Sequence, residues 1–219
     1  MLTQATLDFL LDLSNNNNRD WFQANKKRYE SEVKKPIEAF TLELIQAIQA
    51  FDPEIQVEPK DVLFRIYRDT RFSNDKTPYK THVGGLISKH GRRGKEHPGY
   101  YFHLEGGSLM LGGGAYFLEK DSLLKLRRAI AADPESFKKL VSDPAFVSKF
   151  GLVKGEEHKR IPPEFKEAHA VQPLIAKKQF YYMNEFSPEN ALGKGGVAFC
   201  AETFQCGKKL NDYLISALL

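Results

Sequence analysis

The chain has 219 residues, with 32 Lys or Arg against 28 Asp or Glu, and is 42% hydrophobic and 12% aromatic. That composition excludes a disordered or fibrous chain, because enough apolar surface is available to offset chain entropy. No run approaches the roughly 18 apolar residues of a membrane helix, the first residues lack a signal peptide's basic start and cleavage site, and Cys200 and Cys206 are too few for a disulfide framework or a zinc site.

Leu2 and Thr3 open a helix, with Thr3 as N-cap and a staple from Leu2 to Leu7. The run Asn15 to Asn18 is a turn, one of whose asparagines caps the next helix. From Trp21 to Phe51 the apolar residues keep helical spacing, interrupted by Pro36, so a break is expected near Lys34 and Lys35. Trp21 falls in the apolar stripe and reads as core. At Val62 the period changes to two, which predicts a strand with Val62, Phe64 and Ile66 on its apolar face and Arg65 and Tyr67 opposite. A polar turn over residues 73–78 leads to a second alternating run from Lys80 to Ser88.

Next comes a hairpin with a two-residue turn at Gly106 and Gly107. Its register pairs Glu105 with Ser108, His103 with Met110 and Tyr101 with Gly112. Tyr100, Phe102, Leu104, Leu109 and Leu111 then form the core face, and Tyr101, His103, Glu105, Ser108, Met110, Gly112 and Gly114 the other. Helices are expected over 120–132, 135–141 and 145–150, followed by a loop-rich stretch over 151–173, a further strand over 179–186 and a closing helix over 197–219. The fold class is α+β: a central, mainly antiparallel sheet over about residues 62–117, with 179–186 added, flanked by N-terminal, middle and C-terminal helices in one domain spanning 1–219.

Charge is concentrated. Residues 64–97 hold nine Lys or Arg (among them Arg92, Arg93 and Lys95) against three acids, a local excess of +6 that leaves −2 for the rest. Such a field attracts phosphate, carboxylate or nucleic acid. The part from Lys89 to Lys95 reads as a solvated loop; the part from Arg65 to His82, threaded with aromatics, reads as a site. Arginine offers a fork of donors for bidentate grip on an oxyanion, so Arg65, Arg68, Arg71, Lys76 and Lys80 are the candidate anion-binding residues. Asp69 and Asp75 would orient them, and Tyr67, Tyr79, His82, Tyr101, His103 and Glu105 would line the pocket beside a floor of glycines at 84–85 and 112–114.

The stretch Phe64 to His82, with Asn17, Arg19, Asp20, Trp21 and Phe22 upstream and Gly99, Tyr100 and Tyr101 downstream, resembles a bacterial conserved-hypothetical family. That family is a domain of unknown function with the pattern R-I-Y-R-D-x-R-F-S-x-D-K-x-P-Y-K. Arg127, Ile130, the run Lys159 to Pro162 and His169 also resemble it. The resemblance spans nearly the whole chain and implies a single domain but no activity.

The residues therefore carry the functional reading: a soluble cytoplasmic protein with a basic, aromatic-lined pocket for a small phosphate- or carboxylate-bearing ligand, and with no membrane partner. Two other functions fit the same stretch, a single-stranded nucleic-acid-binding module and a metal-assisted phosphoester hydrolase. A purely structural role, in which the Arg/Asp cluster pins the sheet, fits as well. His82, His103 and Glu105 share a face by parity and could approach a metal, with Asp69 or Asp75 as extra carboxylates, yet no H-x-H, H-E-x-x-H or D-x-D spacing occurs, so neither metal nor cofactor is assigned. No nucleophile with a local base and no phosphate-binding glycine loop is present, and no catalytic residue is named.

Overall fold

The computed structural model describes residues 1–94 and 96–219; Lys95, counted in the basic stretch, lies outside the described residues. Five helical pieces come first: α1 (Gln4–Asn15), α2 (Arg19–Ala24), α3 (Lys26–Arg28), α4 (Lys35–Gln49) and α5 (Pro59–Val62). Three strands follow, β1 (His82–Ile87), β2 (Gly99–Glu105) and β3 (Leu109–Ala115). Helices α6 (Lys120–Ala132), α7 (Pro134–Val141), α8 (Pro144–Phe150) and α9 (Lys166–Val171) then lead to β4 (Phe180–Phe186) and α10 (Gly196–Leu218). The strands pair in the order β1-β2-β3-β4, each antiparallel to its neighbours. The fold is α+β, with helices before, within and after the sheet. Among the described residues, no helix is long and apolar enough to cross a membrane.

Local sequence explains the helical entry. Thr3 stands at the N-cap of α1, its backbone N–H 3.4 Å from Thr6 Oγ1. Asn18 caps α2 by accepting from the Trp21 N–H at 2.9 Å. The expected break before Pro36 takes the form of a π-helical stretch, Tyr29–Lys34, with α4 starting beyond it. Proline has no N–H, so the i→i−4 bond from residue 36 to the Glu32 carbonyl cannot form. That carbonyl instead accepts the Thr6 hydroxyl at 2.6 Å, which ties α1 to the widened turn.

The sheet's core face carries the rest. Tyr100, Phe102, Leu104, Leu109 and Leu111 are buried as their parity requires, and the hairpin register is the expected one. One apolar cluster joins these side chains to Phe9, Leu10, Leu44, Ile48 and Phe204; a second gathers Leu126, Ile130, Phe137, Phe146, Phe180 and Tyr182. Buried Arg127, on α6, donates to the carbonyls of Ile175 (2.9 Å), Ala176 (3.4 Å) and Lys177 (3.2 Å), holding the approach to β4.

Two expectations need correction. Residues 62–67 do not form a regular strand. Glu58, Pro59 and Asp61 start the helical turn α5 instead, and the chain then runs along the β1 edge through scattered bonds: Phe64 N–H to Gly84 O (3.0 Å), Arg68 N–H to Pro78 O (3.0 Å) and Lys80 N–H to Ile66 O (2.8 Å). Pro78 cannot donate, so the ladder stays incomplete. The alternation holds in part, since Val62 and Ile66 are buried and Arg65 and Tyr67 exposed, but Phe64, expected beside Val62 and Ile66, is only half-buried, as befits an irregular edge segment. The loop-rich stretch over 151–173 also contains α9.

Replacing Thr6 by Val keeps the side chain's shape and removes both the donor to Glu32 O and the acceptor of the Thr3 N–H. Leaving these partly buried groups unpaired costs about 1–3 kcal/mol, so urea unfolding is expected to show a loss in that range. A Thr6→Val protein as stable as wild type would mean that the π-helical turn does not need this bond.

Candidate functional site

On β2 the side chains that point away from the core are Tyr101, His103 and Glu105, and they form a hydrogen-bonded chain. The Tyr101 hydroxyl lies 3.0 Å from His103 Nδ1, and His103 Nε2 lies 2.7 Å from Glu105 Oε1. Across the ladder, His82 pairs with Glu105 and Gly84 with His103. Gly84 holds the strands close: a Cβ there would meet Phe102 O at 2.5 Å. The His82 and His103 rings stack at 3.8 Å, 21° from parallel. His103 is 7% exposed. Burial, with smaller contributions from His103 and Lys80, pulls the His82 pKa down to about 3, so this imidazole is neutral at ordinary pH. Burial, helped by Glu105, raises the Tyr101 hydroxyl's pKa.

A cleft of about 490 Å³ opens on the same face, lined by Tyr101, His103, Leu86, Met110, Met183 and Tyr181 over a floor of Gly113 and Gly114, with Phe64, Arg92, His97, Tyr116 and Phe117 at its walls. Gly114 has φ +91°, a backbone state that side chains other than glycine rarely adopt. Arg92 reaches the cleft because its loop docks on α5. Gly91 (φ +57°) packs so close that a Cβ would meet Asp61 O at 2.5 Å, and Arg92 Nη1 donates to the carbonyls of Lys60 and, at 2.9 Å, Leu63. A larger groove of about 820 Å³ lies on the other side of the 63–67 segment. Arg65 and Tyr67 line it, and it shares Phe64 and Arg92 with the cleft.

The remaining sequence candidates are placed otherwise. Arg68 pairs with Asp75 and also donates to Thr77. Arg71 grips Asp69 with a fork, Nε to Oδ1 at 3.0 Å and Nη2 to Oδ2 at 2.7 Å. Lys76 Nζ donates to Thr70 O at 2.9 Å. Each cation is thus used inside its own exposed loop, and Arg65 and Arg71 do not meet in one concavity: Arg68, Arg71 and Lys76 line neither space described above. Lys80 lies over the Phe64 ring, 5.1 Å from its centroid. Tyr79 is a core residue, 3% exposed and stacked on Phe22 at 4.0 Å, with its backbone held by Asn17 on both sides: Asn17 Nδ2 donates to Tyr79 O at 2.9 Å, and Tyr79 N–H to Asn17 Oδ1 at 3.1 Å. Sequence reasoning missed Arg92 as a cleft residue, and Tyr116, Phe117, Tyr181 and Met183 with it. The β4 pair was within reach, since positions 181 and 183 alternate with buried Phe180 and Tyr182.

The local pairing has a titration signature. Hydrogen bonds from Arg71 hold the Asp69 carboxyl at a pKa of about 2, and those from Arg68 and Thr77 do the same for Asp75. A carboxyl lowered in the folded state adds stability above its ordinary pKa and loses that contribution as pH falls through the folded value. Carboxyl ¹³C NMR is therefore expected to show both midpoints near 2, with Arg68→Ala returning Asp75 toward an ordinary value and leaving Asp69 unchanged. Midpoints near 4 in the wild-type protein would show that the arginines are not committed to these acids.

Among known proteins, a model of the conserved hypothetical protein family DUF2461 matches residues 5–213. No curated protein and no solved structure matches the chain. The matched span takes in the sheet, the Tyr101–His103–Glu105 chain and both cavities, and the chain belongs to the DUF2461 family of conserved hypothetical proteins.

Proposed function

We propose that the protein binds a small, largely apolar or aromatic molecule carrying one acidic group, in the cleft over the outer face of β1–β4. The observation that carries this reading is the make-up of the cleft: about 490 Å³ of space walled by aromatic rings and two methionines, with the polar groups Arg92, Tyr101 and His103 among them. Apolar walls with a few placed polar groups are the usual form of a small-molecule site. Methionine adapts its shape to a ligand, and the guanidinium of Arg92 is anchored to two backbone carbonyls and, among the described residues, pairs with no carboxylate. The anionic preference read from the sequence is kept, but its cation becomes Arg92 in place of Arg68, Arg71 and Lys76. The basic stretch supports nucleic-acid binding less well, because Arg68 and Arg71 each hold a carboxylate of their own. The free thiols of Cys200 and Cys206 fit a cytoplasmic setting.

Calorimetry with phenylacetate and phenyl phosphate, against neutral phenylacetamide, tests the proposal. The acids are expected to bind at least about tenfold more tightly than the amide, a difference of about 1.4 kcal/mol. Filling the cleft with Met183→Trp is expected to abolish binding, and Arg68→Ala or Arg71→Ala to leave it unchanged. Equal binding of acid and amide, or acid binding that survives Met183→Trp and is lost in Arg71→Ala, would place the anion site elsewhere.

A further inference from the structure

At the edge of the cleft, where His103 belongs to both, the outer face of β1 and β2 presents three side chains with metal-binding chemistry at one point. His82, His103 and Glu105 each offer one donor atom, and the three atoms lie within 4.8 Å of one another. We propose that these residues bind one divalent transition-metal ion through two imidazole nitrogens and one carboxylate oxygen. The assignment shares His103 with the cleft but does not rest on the ligand reading, because His82 and Glu105 lie outside the lining and metal uptake is read without any organic ligand.

The argument is geometric. Cross-strand register puts His82 directly opposite Glu105, and glycine at position 84, opposite His103, leaves no side chain between the two rings, which stack at 3.8 Å. Three donors on adjacent antiparallel strands thus converge with no loop involved, and rigid placement is what a metal site requires. His103 Nε2 and Glu105 Oε1 are 2.7 Å apart. Two donors each about 2.0–2.1 Å from one ion stand roughly 3 Å apart, so admitting an ion widens this pair only slightly.

A metal on Nε2 requires the ring proton on Nδ1, and a metal-bound histidine normally gives that proton to an outer partner. The Tyr101 oxygen, 3.0 Å from Nδ1, is such an acceptor. Two nitrogens and one oxygen suit zinc, cobalt, nickel or iron and leave positions open on the ion, whereas magnesium and calcium prefer oxygen alone. Parity put the three residues on one face in the sequence; their convergence comes from the pairing, since two alternate along β2 and the third lies across the ladder.

The test is Zn²⁺ titration calorimetry on untagged, chelator-treated full-length protein, with Co²⁺ absorption as a second readout. One equivalent is expected to bind, with a visible Co²⁺ band and a raised Tm, and Mg²⁺ is expected to do neither. Tyr101→Phe, which removes the outer partner, is expected to weaken Zn²⁺ by about 10–100-fold, and His82→Ala or Glu105→Gln by more. Both ligand variants alter partly exposed side chains, so their thermal melts report whether the fold survives without replacing buried His103. His90 and His97, whose rings lie 4.8 Å apart, form the competing place for adventitious metal; His90→Ala, which breaks that pair outside the cleft lining, is expected to bind as wild type does. No uptake by wild type, uptake unchanged in folded His82→Ala and Glu105→Gln, or uptake lost in His90→Ala would overturn the proposal.

Discussion

Along β2 every second side chain is committed to the core: Tyr100, Phe102 and Leu104 are each no more than 1% exposed. That commitment aims the intervening Tyr101, His103 and Glu105 at the other face, because a strand's side-chain period is two. It also fixes the pairing. A slip of one residue would bring Tyr101, His103 and Glu105 into the apolar cluster, so the core locks the register that sets His82 against Glu105 and Gly84 against His103. The polar chain on the outer face is therefore a consequence of packing on the inner one. Its order comes from the core and not from its own hydrogen bonds.

The glycines act on the same register. Gly84 lets β1 approach His103, and Gly113 and Gly114 leave the floor of the cleft without side chains. Around this floor the chain supplies walls from distant places: the 63–67 edge segment, the Arg92 loop, the turn after β3, and β4. The Arg92 loop depends on Gly91, whose close packing on α5 brings Arg92 to the Lys60 and Leu63 carbonyls. Arg92 is thus carried by backbone contacts to a cleft whose other polar groups among the described residues are histidine rings and tyrosine hydroxyls. By contrast, the loop over residues 68–77 neutralises itself, with Arg68 on Asp75 and Arg71 on Asp69. Exposed pairs of this kind contribute little to stability; their effect here is to consume the charge that made the stretch conspicuous.

Much of the fold was legible in the sequence wherever a periodic signal met a hard stop. The Gly106-Gly107 turn set the hairpin register, Pro36 marked the break that became a π-helical turn, and alternating residues sorted the two faces of β2 and β3 correctly. The three-residue cluster was legible as parity, though not as convergence, since nothing local states which residue lies across the ladder. What escaped was decided by long-range docking. Arg92 read as one more cation in a solvated loop because its anchors, Lys60 and Leu63, lie some thirty residues earlier. Tyr79 read as a pocket residue because its stacking partner, Phe22, and its backbone clamp, Asn17, belong to the N-terminal helices. The strand expected at residues 62–67 failed because alternation reports burial, while a strand also needs donors on the facing segment, and Pro78 has none.

The central claim is that the outer face of this sheet, and not the basic loop beside it, is where the protein meets a small acidic molecule. Its three methionines make a direct measurement available: Met110 and Met183 line the cleft, while Met1 precedes α1 and does not. Labelling the methionine methyl groups with ¹³C and titrating phenylacetate follows all three positions in one spectrum. The account predicts that the Met110 and Met183 methyl signals move together and saturate, while that of Met1 stays in place. Saturable binding that leaves Met110 and Met183 unmoved would contradict it.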